Sequence, residues 1–161
     1  MIKLDRGFCR TTLLAALTGL FLAPVAFADD AADVLAVVMQ YGDTEGDLAA
    51  QAKLMRSDRV FIAGDVRQTN EAKNMAGQMA ARAAAEAVYG GKTKFMTLIE
   101  GPVIRVYGNV AVASFVRAFQ TIPHNQLANP PGTPNWVTLV LVKEGGKWGI
   151  AHTHQSPIGG N

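Results

Sequence analysis

The sequence predicts an α+β domain in which three N-terminal helices pack on one face of a curved antiparallel sheet. Three features carry that prediction. Apolar residues recur at helical spacing in stretches as far as Tyr89, and from Phe95 onward the runs become short, alternating and rich in β-branched residues. Gly101-Pro102, Gly108-Asn109 and Gly145-Gly146 separate these later runs, and such short connections place consecutive strands side by side and antiparallel. Helical segments followed by a strand meander bury their apolar stripes by laying the helices on one side of the sheet.

The 161-residue chain is 49% hydrophobic and 17% charged, a globular composition with room for one core. Residues 1–28 stand apart from the domain, which is predicted to span 29–161. Lys3, Arg6 and Arg10 form a basic start, residues 11–25 are an apolar run, and Ala26-Phe27-Ala28 matches the small-x-small pattern of a cleavage site. The run is shorter than the ~20 residues of a spanning helix, and Pro24 falls near its end. It therefore reads as a cleaved secretory signal, and the mature protein is expected to be periplasmic or secreted, without membrane attachment. Cleavage removes three cations and one acid, taking the formal charge from +2 to zero. A neutral domain offers no footprint for nucleic acid or an anionic membrane. Cys9, the single cysteine, leaves with the leader, so disulfides, thiolate nucleophiles and cysteine metal ligands are excluded from the mature domain.

Taken in order, Val34, Leu35, Val38 and Met39 mark a helix from Asp30 to about Gly42, with Asp29, Asp30 and Asp33 at the end where the helix dipole favours acids. Asp47 caps a short second helix over residues 48–55. Residues 59–63 form a strand stopped by Gly64-Asp65. Residues 70–89 are the clearest helix. Its Ala72, Met75, Ala76, Met79, Ala80, Ala83, Ala84 and Ala87 form one shallow stripe, read as core-facing, and Gly90-Gly91 ends it. Strands follow at 95–100, 103–107, 110–122, 136–143 and 148–155. The strand over 110–122 is apolar on both faces, so its outer side needs a cover; a second subunit is the simplest one, which predicts a homodimer. The loop over 123–135 carries Pro123, Pro130, Pro131 and Pro134, too many for a strand, and is either a lid or decoration.

Two strands carry the candidate chemistry. In the last one, alternation places Trp148, Ile150, His152 and His154 on one face and Gly149, Ala151, Thr153 and Gln155 on the other. In the 110–122 strand, Arg117 is in register with Phe115 and Phe119, a cation between two aromatics. Burying it requires an anionic or carbonyl partner, which a ligand acid, Glu100 or a loop carbonyl would supply. By residue type, His124, His152 and His154 could bind a metal. Acid/base chemistry would need a carboxylate or histidine base. The only acid after Glu100 is Glu144, in a turn, so the base would be a histidine, with Tyr41 or Tyr107 as proton donor. No nucleophile elbow, phosphate loop or dinucleotide fingerprint is present, and no cofactor is expected.

Gly46-Asp47, the run from Pro102 to Gly108, Val116-Arg117 and the closing stretch Gly146-Lys147-Trp148 through Ser156, in this order of elements, resemble the nuclear transport factor 2-like (NTF2-like) superfamily. The likeness is in particular to SnoaL-like domains and the association domain of calcium/calmodulin-dependent kinase II, and it covers residues 29–158. It implies a cone-shaped NTF2-like fold, a pocket between the helices and the concave side of the sheet, and dimerisation through the convex side. It does not select an activity, because the superfamily includes isomerases, cyclases, dehydratases and members without chemistry. The pocket of the kinase association domain holds several arginines. Arg117 matches one, while Leu139 and Gln155 stand where two others would be, which argues against a strongly anionic ligand. The same match turns Gln155 toward the pocket, and alternation then turns His152 and His154 away unless a bulge intervenes. The His-x-His pattern recurs in metal-free members, so no metal is expected.

The resulting expectation is an exported, dimeric small-molecule-binding domain. Its ligand is a small apolar molecule with one polar or acidic group, held by Arg117, His152, His154, Gln155, Phe115 and Phe119. The alternatives are an isomerase- or cyclase-type enzyme with a histidine base, and an assembly module without a ligand. The absence of acids from the pocket-side strands favours binding over catalysis.

Overall fold

The structure, a computed structural model, describes residues 23–159, and the leader predicted for residues 1–28 falls outside them as far as residue 22. Helix α1 (Ala23–Asp43) ends where its apolar periodicity stops, and Val34, Val38 and Tyr41 form its buried stripe against the sheet. An ion pair between Asp30 and Lys143 ties its predicted mature end to the sheet. A 3-10 turn (Thr44–Gly46) leads into α2 (Leu48–Ala52), where the Asp47 carboxylate accepts from the Ala50 amide at 3.0 Å, the capping role its position implied. This helix is shorter than expected, because Leu54 turns into the core and the chain enters β1 (Met55–Ala63) directly.

The remaining elements are β2 (Val66–Gln68), α3 (Glu71–Tyr89), β3 (Lys94–Tyr107), β4 (Val110–Ile122), β5 (Asn135–Glu144) and β6 (Lys147–Pro157), and the six strands lie in the order β2-β1-β6-β5-β4-β3. Every pairing is antiparallel except β1 with β6, which is parallel, so the sheet departs at one place from the all-antiparallel expectation. The α+β class holds, with the helices over one face of a curved, unclosed sheet. Among the described residues no helix is long and apolar enough to cross a membrane.

The pairing of β1 with β6 shifts register between Met55 and Val60, and two bulges decide which side chains of β3 and β6 face the helices. The first merges the predicted strands 95–100 and 103–107 into β3: the pairing steps from Glu100 opposite Val116 to Val103 opposite Ser114, and Gly101-Pro102 fill the step. Gly101 has φ of 58°, the left-handed conformation that a bulge uses and a glycine adopts without strain, so this dipeptide bends one strand and joins no two. The second bulge is at Ala151, where Ile150 opposes Leu141 but His152 opposes Val140. The extra residue inverts the alternation from that point on. Trp148 and Ile150 face the core, and so do Thr153 and Gln155, whose partners Leu139 and Val137 are fully buried. His152 and His154 pair with Val140 and Thr138 on the convex face, and the expected grouping of Trp148, Ile150 and the two histidines does not form.

Helix α3 also presents a different face from the one predicted. Its alanine stripe is exposed at Ala72, Ala76, Ala80, Ala83, Ala84 and Ala87, and only Met75 of that set is buried. The inward stripe is Glu71, Asn74, Met75, Gln78 and Arg82, at the same helical spacing but polar. Two ion pairs set the rotation: Arg59 of β1 holds Glu71 at 2.6 Å, and Arg82 holds Glu45 of the 3-10 turn at 2.7 Å. At this helix, buried charge pairing outweighs the small apolar gain available from alanine.

Candidate functional site

The apolar base of the concave face, built on Phe115, Val137, Leu139, Leu141 and Ile150 under α1, gives way at one end to charge. There, β1, β4 and β6 meet α1, the 3-10 turn, α2 and α3 around a cavity of about 270 Å³. Alternation brings Arg117 and Phe119 from β4, Gln155 from β6, and Arg59 and Phe61 from β1 to the same face. Tyr41, Glu45, Gln51, Asn74 and Gln78 close the cavity from the helical side.

Glu45 is the centre of the charge arrangement. Its carboxylate accepts from the Arg117 Nη2, from Arg82 Nη2 at 2.7 Å and from Gln51 Nε2 at 3.2 Å, and Arg82 also donates to its backbone carbonyl. Gln51 donates as well to the Tyr41 carbonyl at 3.0 Å, which links the end of α1 to α2. The second pair is Arg59 with Glu71, and Arg59 Nη1 donates to the buried Thr153 hydroxyl at 3.1 Å. Each arginine also lies over a ring: Arg117 at 5.1 Å from Phe119 and 5.4 Å from Tyr41, Arg59 at 5.3 Å from Phe61, and Arg82 at 4.2 Å from Phe95.

Donors of this wall remain unspent. Arg117 Nε and Asn74 Nδ2 are buried without a hydrogen-bond partner. The Tyr41 hydroxyl accepts from Gln155 Nε2 at 3.1 Å, which leaves its own proton available. Burial pushes the Tyr41 phenol above its usual range, and the opposing pull of the Arg117 charge is smaller, so Tyr41 is a neutral O–H donor at physiological pH.

The structure therefore brings Arg117, Phe119 and Gln155 together at the cavity. Phe115 lies in the core, 1% exposed, and Tyr41, named above only as a proton donor of the enzyme alternative, lies beside the guanidinium. His152 and His154 lie on the opposite side of the sheet, and His124 packs against Gly91 beyond α3, where a Cβ would come within 2.6 Å of the imidazole ring. The three histidines are not brought together, and among the described residues no group of His, Cys, Asp or Glu is arranged to hold a metal. The partner of Arg117 is Glu45 and not Glu100, which pairs with Val116 on the convex face. The expectation of a cavity without acids fails as well, because Glu45 and Glu71 enter it from the 3-10 turn and α3. One signal points to Glu71, the inward spacing of Glu71, Asn74, Gln78 and Arg82 along one helix, and none points to Glu45.

The sequence model of the calcium/calmodulin dependent protein kinase II association domain matches residues 30–159, which includes every element of the site. The chain belongs to this family. The chain also matches solved structures along most of its length. An NTF2-like protein with a cystatin-like fold from Novosphingobium aromaticivorans has a TM-score of 0.67 and 14% identity, over 86% of this chain and 88% of that one. An NTF2-like superfamily protein from Salmonella enterica serovar Typhimurium has a TM-score of 0.64 and 22% identity, over 84% and 95%. ActVI-ORFA from Streptomyces coelicolor has a TM-score of 0.62 and 17% identity, over 79% and 96%. At these identities the likeness shows a shared fold and nothing about activity. No curated protein matches the chain by sequence.

Proposed function

We propose that the protein is an exported, dimeric domain that binds a small, largely apolar molecule by one polar group in the cavity around Arg117. The observation that carries this reading is Arg117 itself, 94% buried yet lining the cavity with its Nε unpartnered. A buried donor left unmade costs ~1–3 kcal/mol, a cost that a ligand acceptor removes. The rings of Tyr41, Phe61 and Phe119 supply the apolar contact. A histidine-based enzyme draws no support from the site, since His152 and His154 are on the far face of the sheet. Protein recovered from its own cell and weighed under native conditions tests the reading as a whole. The expected species is a dimer beginning at Asp29 with a small molecule bound; a ligand-free chain retaining residues 1–28 would overturn both the binding and the export.

Dimerisation is assigned to the convex face. Met96, Leu98, Val103, Tyr107 and Trp136 are each more than half exposed there, too large an apolar area to leave to solvent. The name of the matching family, an association domain, supports the same reading. Trp136→Asp should convert the dimer to a monomer in sedimentation at micromolar concentration without altering the fold. A dimer that survives this change lies on another surface.

A further inference from the structure

We infer that the cleft between the C-terminal half of α3 and the ends of β3 and β4 is a second small-molecule site, and that it takes a flat aromatic ring. The cleft holds about 290 Å³ and is lined from α3 by Ala81, Arg82, Ala85 and Tyr89. Phe95 and Thr121, opposite one another in the sheet, form its floor, and Thr93, Pro123 and Asn129 form its rim. It shares no lining residue with the Arg117 cavity, so the inference stands independently of the function proposed above. A cavity of about 150 Å³ holds benzene and small-molecule sites begin near 300 Å³, so the space suits one or two rings.

The walls give the class of ligand. Arg82 is the one charged residue among them, and its guanidinium is fixed: it donates to the carboxylate and to the backbone carbonyl of Glu45, and it lies 4.2 Å from the centre of the Phe95 ring. With Tyr89 and Pro123 it makes a set of flat or cyclic groups, the surfaces on which aromatic rings stack. Tyr89 is left 42% exposed beside the opening, apolar area that a bound ring would cover. The helix makes room for that ring, because Ala81 and Ala85, one turn apart, bring only methyl groups to this side. The rim is polar at one edge. The Thr121 hydroxyl accepts from Asn129 Nδ2 at 2.6 Å and keeps its own proton, and Thr93 adds a second hydroxyl, so a hydroxyl or carbonyl on the ring has partners there.

The proline-rich loop completes the site. Strand β5 leaves β4 at Arg117, opposite Asn135, and beyond that point the loop takes its place beside β4. The Gly132 amide donates to the Phe119 carbonyl at 3.0 Å and the Asn129 amide to the Thr121 carbonyl at 2.9 Å. The loop is therefore a wall of the cleft, stitched to its floor.

Phenol against cyclohexanol, rings of the same size with and without a π system, tests the inference in a millimolar amide chemical-shift titration of the isotope-labelled protein. Phenol should shift the amides of Ala81, Ala85, Thr93 and Thr121 saturably and bind at least ~3-fold more tightly than cyclohexanol, the margin of one aromatic contact. Ala85→Leu keeps a strong helix former but fills the cleft, and should weaken phenol at least ~10-fold. Ala84→Leu, on the exposed side of the same turn, should leave it unchanged. No saturable shift, or shifts confined to the Arg117 cavity or the convex face, overturns the site; equal binding of the two alcohols overturns its preference for aromatic rings. An Ala85→Leu variant that loses no more affinity than Ala84→Leu overturns the placement in this cleft. If Ala85→Leu does not fold, the wild-type shift map and the ratio of the two alcohols decide.

Discussion

Glu71→Ala should lower the melting temperature by about 10 °C, a loss of roughly 3 kcal/mol in a domain of this size. The reason is the guanidinium it abandons. Arg59 and Glu71 are 3% and 8% exposed as side chains, so removing the acid leaves a full charge in the interior with only the Thr153 hydroxyl and the Phe61 ring beside it. The attraction within such a pair roughly repays the desolvation of both ions, and the destabilisation comes from orphaning one of them. A double replacement makes the argument checkable: Arg59→Met with Glu71→Leu should recover most of the loss, because no charge is left stranded. Circular dichroism melts of the two variants measure this. A double variant as unstable as Glu71→Ala would mean that the pair also positions α3 in a way that apolar packing cannot replace.

That ion pair also marks the limit of what alternation and periodicity reveal. The C-terminal ends of α1 and α3, the Asp47 cap and strands β4 to β6 follow from local signals, since each depends on a few adjacent residues, whereas α1 begins at Ala23, so the acids Asp29, Asp30 and Asp33 do not lie in its first turn as predicted. The rotation of α3 does not. Its sequence carries two stripes at helical spacing, one of alanines and one of Glu71, Asn74, Gln78 and Arg82, and the choice between them is made by residues far away, Arg59 and Glu45. A hydrophobic-stripe argument selects the alanines, whereas the folded chain buries the charges because both have partners. The histidines failed for a related reason. One inserted residue, Ala151, exchanges the faces of everything after it in β6, and nothing in the run Ile150-Ala151-His152-Thr153 marks it as the bulge. Gln155 reaches the cavity as the family resemblance implies, and strand alternation alone does not put it there. Arg117 needed no such help, because Phe115, Arg117 and Phe119 lie on an uninterrupted strand.

Arg117→Ala should abolish binding of the small molecule recovered with the wild-type protein, a loss of at least ~100-fold, while lowering the melting temperature only by a few degrees. The contrast with Glu71 comes from the partner left behind. When Arg117 is removed, Glu45 keeps Arg82 at 2.7 Å and Gln51 at 3.2 Å, so no buried carboxylate is orphaned. What disappears is the guanidinium between Tyr41 and Phe119 and the Nε donor in the cavity wall. The stability cost is then that of a truncated side chain and one charge-assisted hydrogen bond, about 2 kcal/mol. Arg117→Lys separates structure from recognition: the ammonium can still pair with Glu45 and should restore much of the melting temperature, but it has no planar fork to stack on the rings and no Nε–H to offer. Binding should therefore remain lost in the lysine variant. If instead Arg117→Ala melts as low as Glu71→Ala, or Arg117→Lys recovers affinity along with stability, Arg117 is a structural cation whose charge alone matters, and the ligand's polar group must find its donors elsewhere in the cavity.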